Sequence, residues 1–203
     1  GKRQIVCVNQ NSVTAHDVAG GDVLWEHRWP NNSGSNAAAS QPLPAGEDRV
    51  WLSMGYGVGA ELIYVSQQEH TWQTKRLWKR PVLKTKLTNV VLRDGFAYGI
   101  SDGRFFQCVE IETGKSVWRQ RRSPRFGHGQ ILLVGEHIVV LCESGEVVLI
   151  EATSEAYREL GAFQAIEGVT WNNPALTGDR LLVRNAEEAA CYVLPLIETD
   201  VAL

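Results

Sequence analysis

Residues 86–120 read KLTNVVLRDGFAYGISDGRFFQCVEIETGKSVWRQ, a series of short apolar runs separated by turns that contain glycine. The turns lie at Gly95, at Asp102-Gly103 and at Thr113-Gly114. Glycine accepts the positive φ that tight hairpin turns require, and aromatic and β-branched residues between such turns favour strands. The segment therefore predicts a unit of four antiparallel strands, labelled A to D in chain order.

The same pattern recurs along the chain at a period near 40 residues. Equivalent turn glycines stand at Gly46, Gly95, Gly135 and Gly178, with spacings of 49, 40 and 43 residues. A second marker closes successive units at Trp25, Trp78, Trp118 and Leu160. A period of about 40 residues filled with short strands is typical of propeller blades. The sequence therefore predicts an all-β fold, a partial β-propeller of about four to five four-stranded antiparallel blades.

The blades are expected to belong to one partial propeller domain over residues 1–203. Their approximate bounds are 1–29, 36–81, 84–122, 125–163 and 168–203. The first blade is expected to lack strand A and the last to lack strand D. Propellers normally protect such sheet edges by closing a ring. We therefore expect the blades to be part of a larger ring or to close by self-association.

Composition argues against several classes of partner and site. The chain has 20 basic and 23 acidic residues and a net charge of −3, so no nucleic-acid footprint is expected. No apolar run is long enough for a membrane-spanning helix, and the sequence opens without a signal peptide, so direct membrane insertion is not expected. The cysteines, at Cys7, Cys108, Cys142 and Cys191, are too far apart for a clustered disulfide or metal site and are expected to be buried free thiols.

The units carry a family resemblance. Residues 111–118, IETGKSVW, resemble the repeat of pyrroloquinoline-quinone (PQQ)-like, BamB-like β-propellers. The segments LKTKLTN (83–89), FGHGQ (126–130) and TWNNPAL (170–176) are similar to the C-terminal half of bacterial PQQ-like repeat proteins of unassigned function. The likeness covers about residues 4–193, and it implies a periplasmic or other extracytoplasmic setting. It also implies that a missing N-terminal half would complete the ring.

The resemblance brings in one cofactor. Quinoprotein dehydrogenases, which share this repeat, hold PQQ and calcium with an adjacent-cysteine pair, a Glu, an Asn and a catalytic Asp. This chain has no adjacent cysteines. No cofactor and no metal site are therefore expected, and PQQ enters through the family resemblance alone.

Candidate ligand-binding residues follow from aligning the units on their turn glycines. In propellers of this kind the D–A and B–C loops share one face, where ligands usually bind. Residues expected near that face are Asn36, Tyr56, Lys84, Lys86, Asn89, His128, Trp171 and Asn172. Such amides, cations and aromatic rings suit a polar ligand pocket. The alternative is that they satisfy backbone groups and bound waters in a tight channel.

Three functions remain open at this point. The favoured one is a non-catalytic binding or scaffold module for a protein or polar ligand, because no nucleophile-elbow pattern occurs and the fold by itself implies no reaction. A fragment of a PQQ-dependent oxidoreductase is the second. A glycan-binding or glycan-processing propeller is the third, motivated by Tyr56, Trp171 and the neighbouring amides.

Overall fold

The computed structural model describes residues 2–30 and 37–195, and every regular element in this part of the chain is a β-strand. The strands form five antiparallel sheets, numbered I to V, that follow one another in chain order. Sheet I contains β1 (Gln4–Val8), β2 (Ser12–Asp17) and β3 (Val23–Arg28). Sheet II contains β4 (Leu43–Pro44), β5 (Arg49–Met54), β6 (Gly59–Gln68) and β7 (Thr71–Arg80).

Sheet III contains β8 (Val90–Arg93), β9 (Phe96–Ser101), β10 (Phe105–Glu110) and β11 (Ser116–Arg121). Sheet IV contains β12 (Gln130–Val134), β13 (His137–Leu141), β14 (Glu146–Glu151) and β15 (Glu159–Gln164). Sheet V contains β16 (Ala175–Thr177), β17 (Arg180–Arg184) and β18 (Ala189–Val193). Sheets II to IV thus have the four-stranded antiparallel order that the sequence predicts.

Glycine conformation explains why the turns fall where they do. Gly95 and Gly135 lie between the first two strands of sheets III and IV with φ of 83° and 55°. In the next hairpin of sheet III, Asp102 and Gly103 both have positive φ, at 52° and 66°. Two consecutive residues with positive φ match the right-handed twist of the flanking strands, which favours this tight hairpin.

The core lies between neighbouring sheets. On β13, Ile138 and Val140 pack against sheet III, whereas Val139 and Leu141 pack against sheet V. Successive side chains of a strand point to opposite faces, so a continuous apolar run can bury both. The same arrangement joins sheet I to II and sheet II to III. Sheets packed face to face in chain order form the blade arrangement of a propeller.

Tryptophans at the ends of the units join each sheet to the next. Trp78 Nε1 donates a hydrogen bond to the Ile111 carbonyl at 2.9 Å, and Trp118 Nε1 donates to the Thr153 carbonyl at 3.2 Å. A Cβ on Gly114 would lie only 2.7 Å from the Trp78 ring, so the Thr-Gly turn makes room for the indole. These rings therefore serve inter-sheet packing, as large aromatic side chains commonly do.

A buried polar cluster joins sheets I and II. The Glu61 side chain is fully buried (0% exposed), and its Oε1 accepts hydrogen bonds from His27 Nε2 and Arg76 Nε, both at 2.8 Å. His27 Nδ1 also lies 3.1 Å from Thr74 Oγ1. Burial alone would raise the pKa of Glu61, but the hydrogen bonds and charges of His27 and Arg76 lower it overall. Glu61 is therefore ionised at neutral pH.

Several details differ from the expectations. The A strands begin later than the sequence suggests, β8 at Val90 and β16 at Ala175, so the residues before them belong to the connections between sheets. Of the cysteines, Cys108 and Cys142 are buried, and burial raises the pKa of each thiol to about 12, while Cys191 is exposed.

Within residues 2–30 and 37–195, no helix is long and apolar enough to cross a membrane.

Candidate functional site

The B–C turns and the connections between sheets lie together at one end of the molecule, called here the loop face. In sheet III the Asp102 amide donates to the Lys84 carbonyl of the preceding connection at 2.9 Å. In sheet IV the Glu143 amide donates to the Phe126 carbonyl at 3.0 Å, and the Glu143 carbonyl accepts from the Thr170 amide at 2.9 Å. Backbone hydrogen bonds therefore hold these loops in fixed positions on the sheets.

A cleft of about 500 Å³ opens on this face, and we call it the loop-face cleft. It is lined by the B–C turns of sheets III and IV and by the connections that follow these two sheets. Its lining residues are Asp102, Gly103, Arg104, Arg125, Gly127, His128, Glu143, Ser144, Gly168 and Val169. Its volume lies within the range of ligand pockets, which is roughly 300–1,000 Å³.

Glu143 organises one wall of the loop-face cleft. Its Oε1 accepts a hydrogen bond from Trp171 Nε1 at 2.7 Å, and its Oε2 accepts from the His128 amide at 3.3 Å. Both carboxylate oxygens are therefore engaged, and the indole is fixed in orientation while 53% of Trp171 remains exposed. The structure thus brings His128 and Trp171 together through Glu143.

A second group of predicted residues lies on the loop face at sheet II. Tyr56 occupies the B–C turn with a φ of 55°, and Lys86 Nζ lies 5.6 Å from the centroid of its ring. This distance is within the range of cation–π attraction. A Cβ on Gly55 would lie 2.4 Å from the Lys86 Cγ, so glycine there lets the lysine cross the turn. Lys84 is 3.9 Å from Asp102, between the two groups.

The predicted asparagines have other positions. Asn89 Oδ1 accepts a hydrogen bond from the Gln41 amide at 3.0 Å and so links two connections between sheets. Asn172 is partly buried and does not line the loop-face cleft, and Asn36 lies outside the described residues. The Asn89 side chain thus satisfies a backbone amide, which is the alternative to ligand binding that the sequence analysis left open.

Polar groups deeper in the loop face also serve the backbone. The Ser40 hydroxyl lies within hydrogen-bond distance of the Thr88 carbonyl, at 2.7 Å, and of Thr85 Oγ1, at 2.6 Å, and Ser53 Oγ lies 2.9 Å from the same Thr85 oxygen. Gln130 Nε2 donates to the carbonyls of Leu87 and Trp171, at 2.6 and 3.3 Å. These buried contacts join connections from different sheets.

Of the ten residues that line the cleft, sequence reasoning predicted His128 and missed the others, among them the charged residues Arg104, Arg125 and Glu143. Arg104 and Glu143 belong to B–C turns, Asp102-Gly103-Arg104 and Glu143-Ser144-Gly145, whose place on the loop face was predictable from the hairpin pattern. Arg125 precedes the Phe126-Gly127-His128 segment that carries the predicted histidine. Charged residues in these turns were therefore a usable signal.

The sequence match settles the family. The PQQ_2 family model, described as outer membrane protein assembly factor BamB, matches residues 1–120, which is more than half of the chain. The chain belongs to the PQQ_2 family. The recognition of a PQQ-like, BamB-like repeat protein is thereby confirmed. No curated protein matches the chain.

Solved structures show what fold this PQQ_2 chain adopts. BamB from Moraxella catarrhalis is similar over 93% of this chain and 68% of its own, with 13% identity and a TM-score of 0.50. The computationally designed Ika8 protein is similar over 93% of this chain and 57% of its own, with 9% identity and a TM-score of 0.60. The designed Ika4 protein is similar over 81% of this chain and 95% of its own, at 9% identity and a TM-score of 0.54. The partial β-propeller fold is confirmed, and such low identities carry the fold alone.

The family resemblance also raises the question of PQQ and its calcium ion. Calcium takes six to eight oxygen ligands, many of them from carboxylates. Within residues 2–30 and 37–195, no three His, Cys, Asp or Glu side chains are grouped so that they could hold a metal ion. This part of the PQQ_2 chain therefore offers no acidic ligand set for the calcium that accompanies PQQ in quinoprotein dehydrogenases.

Proposed function

We propose that the chain is a non-catalytic binding module that recognises a protein partner at its loop face. The observation that carries this proposal is the loop-face cleft together with the half-exposed indole of Trp171, which does not line the cleft itself but is held beside it by the lining residue Glu143. Exposed, pre-oriented aromatic side chains beside charged groups are the usual anchors of protein interfaces. A rigid side chain also loses little conformational entropy on binding, which favours affinity.

Two of the histidines make structural contacts outside the loop-face cleft, whereas His128 lines it. The ring of His27 contacts Glu61 and Thr74, and the ring of His16 contacts Thr14 and the Gly21 carbonyl. The His27 ring joins sheets I and II, the His16 ring braces sheet I, and neither lines the loop-face cleft. A general base must lie within hydrogen-bond reach of the group that it activates. These two histidines are therefore assigned to structure.

The matched family supports a protein partner and an extracytoplasmic, periplasmic location as parts of the same proposal. Its description is that of an outer membrane protein assembly factor. A factor of that kind works by contact with other proteins outside the cytoplasm. We carry the partner class and the location to this chain as proposals on that basis.

Ring completion belongs to the proposal as well. Sheets II to IV bury both faces, but the outer face of sheet I exposes Ile5 and Val23, and that of sheet V exposes Leu182 and Val193. Apolar side chains on an open sheet face are normally covered by another layer. We propose that residues 1–203 form one partial propeller domain and that further sheets, from a longer chain or a second copy, cover these faces.

Selection from a phage-displayed random peptide library tests the binding role. We expect the selected peptides to bind Trp171→Ala at least about tenfold more weakly than the unaltered protein, since a central aromatic anchor is lost. Tyr64→Ala is the matched control, because Tyr64 is an exposed aromatic residue on β6, away from the loop face. Peptides that bind both variants equally well, or a selection without binders, would contradict the proposal.

A further inference from the structure

The acidic and the basic side chains that line the loop-face cleft differ in whether they have partners within the protein. Asp102 has Lys84 as a partner at 3.9 Å, and both oxygens of Glu143 accept hydrogen bonds. Arg104 and Arg125 line the same cleft, and within residues 2–30 and 37–195 neither guanidinium has an ion-pair or hydrogen-bond partner. The cleft therefore combines satisfied carboxylates with two unsatisfied cations.

Five other arginines of this chain have partners within the fold. Arg49, Arg76, Arg93, Arg122 and Arg158 all form ion pairs with glutamates. Arg122, for example, contacts both Glu146 and Glu159, which raises its pKa further above the usual value. A guanidinium carries five N–H donors in a fork that fits a carboxylate. The guanidinium groups of Arg104 and Arg125 therefore have N–H donors that the fold does not use and that a ligand can bind.

Glycines bring the loops that carry these arginines close together. A Cβ on Gly103 would lie 3.1 Å from the His128 Cε1, and a Cβ on Gly127 would lie 2.3 Å from the Glu143 Oε2. Both glycines also have positive φ, at 66° and 63°. Arg104 directly follows the first glycine, and Arg125 stands two residues before the second. Arg104 therefore lies in a tight turn and Arg125 in the connection that leads to the Gly127-His128 turn, and both line the cleft.

Apolar side chains continue the cleft on one side. Val169 lies in its lining and is 61% exposed, and Trp171 follows two residues later. A small free anion would contact the guanidiniums alone, whereas an extended peptide could also cover these apolar surfaces. Burial of such surfaces is the main source of affinity at protein interfaces. Guanidinium groups beside exposed apolar side chains favour a ligand in which an acidic side chain has an apolar neighbour.

We infer that the loop-face cleft binds an acidic peptide segment of a protein partner, with Arg104 and Arg125 holding its carboxylates and Val169 and Trp171 covering an adjacent apolar side chain. The inference rests on the proposed function, since it names the chemistry of the partner at the same face. It identifies Arg104 and Arg125 as the residues that determine specificity.

Fluorescence anisotropy with two labelled peptides tests the inference. One nonapeptide carries adjacent glutamates flanked by leucines, and the other has glutamines in their place. We expect the glutamate peptide to bind at least about tenfold more tightly than the glutamine peptide, because charge-assisted hydrogen bonds are lost in the latter. We expect the glutamate peptide to lose affinity by the same factor when it binds the double variant Arg104→Gln, Arg125→Gln.

The double variant Arg3→Gln, Arg180→Gln is the matched control, since it removes the same charge from exposed arginines at the opposite end of the strands, which do not line the cleft. The control is expected to bind like the unaltered protein. Equal binding of the two peptides, equal losses in both double variants, or equally strong competition by free succinate would overturn the inference. If peptides from the library bind the loop face without acidic enrichment, the inference fails while the binding role stands. If no peptide binds there, both fail.

Discussion

Replacing Gly129 with alanine is expected to lower the free energy of unfolding by about 3 kcal/mol or more, one of the two largest effects of a single substitution that we predict. A Cβ at this position would lie 2.0 Å from the Leu141 carbonyl oxygen and 2.8 Å from the Cys142 Cα. Both obstacles are backbone atoms, which cannot rotate away as a side chain would. The φ of Gly129 lies outside the left-handed region, so the effect is steric.

Gly161→Ala is the matched control for this change. Gly161 lies on the exposed strand β15, and a Cβ there would meet nothing within 4 Å. Glycine inside a strand is less favourable than alanine by about 0.5–1 kcal/mol, so this variant is expected to be neutral or slightly more stable. Urea unfolding of both variants gives the comparison. Equal stabilities would contradict the close approach of β13 to the connection that carries His128.

Glu61→Gln is expected to lower the free energy of unfolding by about 2–3 kcal/mol at neutral pH, because hydrogen bonds to a buried charge are worth more than neutral ones. The substitution keeps the shape of the side chain and the Oε1 acceptor. It removes the charge that faces His27 and Arg76. Unfolding of both proteins by urea at a series of pH values provides the measurement.

The pH dependence of this difference has a definite sign. The folded-state pKa of Glu61 is lowered from the ordinary value of 4.5, so the carboxylate contributes stability above that value. The contribution is lost as the pH falls below 4.5 and through the lower folded-state pKa. The two proteins should therefore converge in stability at acidic pH. Glu112→Gln, at an exposed ion pair with Arg49, is the control and should change little. A Glu61 difference that does not depend on pH would contradict the buried ion pair.

The repeat was readable from the sequence because its determinants are local. The turn glycines at 46, 95, 135 and 178 all have positive φ, which the residue type alone suggests. The tryptophans at the ends of units were also informative, since Trp78 and Trp118 both donate to the next sheet. Trp25 behaves differently, because its indole donates to Gln4 of the same sheet at 2.7 Å. This different hydrogen-bond partner depends on the side chain beside Trp25, so the spacing of the tryptophans does not predict it.

The candidate site was only partly predictable because it is assembled across sheets. Alignment of the units placed His128 and Trp171 on the loop face, but the link between them is Glu143, which stands in a different loop from either. Asn89 looked like a ligand residue and instead contacts the Gln41 amide, a partner 48 residues away. Such pairings follow from how the sheets pack and not from local propensity.

Hydrogen–deuterium exchange with a saturating library-selected peptide tests the central claim, that ligands bind at the loop face of this propeller array, most directly. The account predicts slower exchange in the loops around residues 102–104, 125–128, 143–144 and 168–171, which surround the cleft. The turns at the opposite end, near residues 95, 135 and 178, should exchange at unchanged rates. Protection confined to those opposite turns, with the cleft loops unaffected, would contradict it.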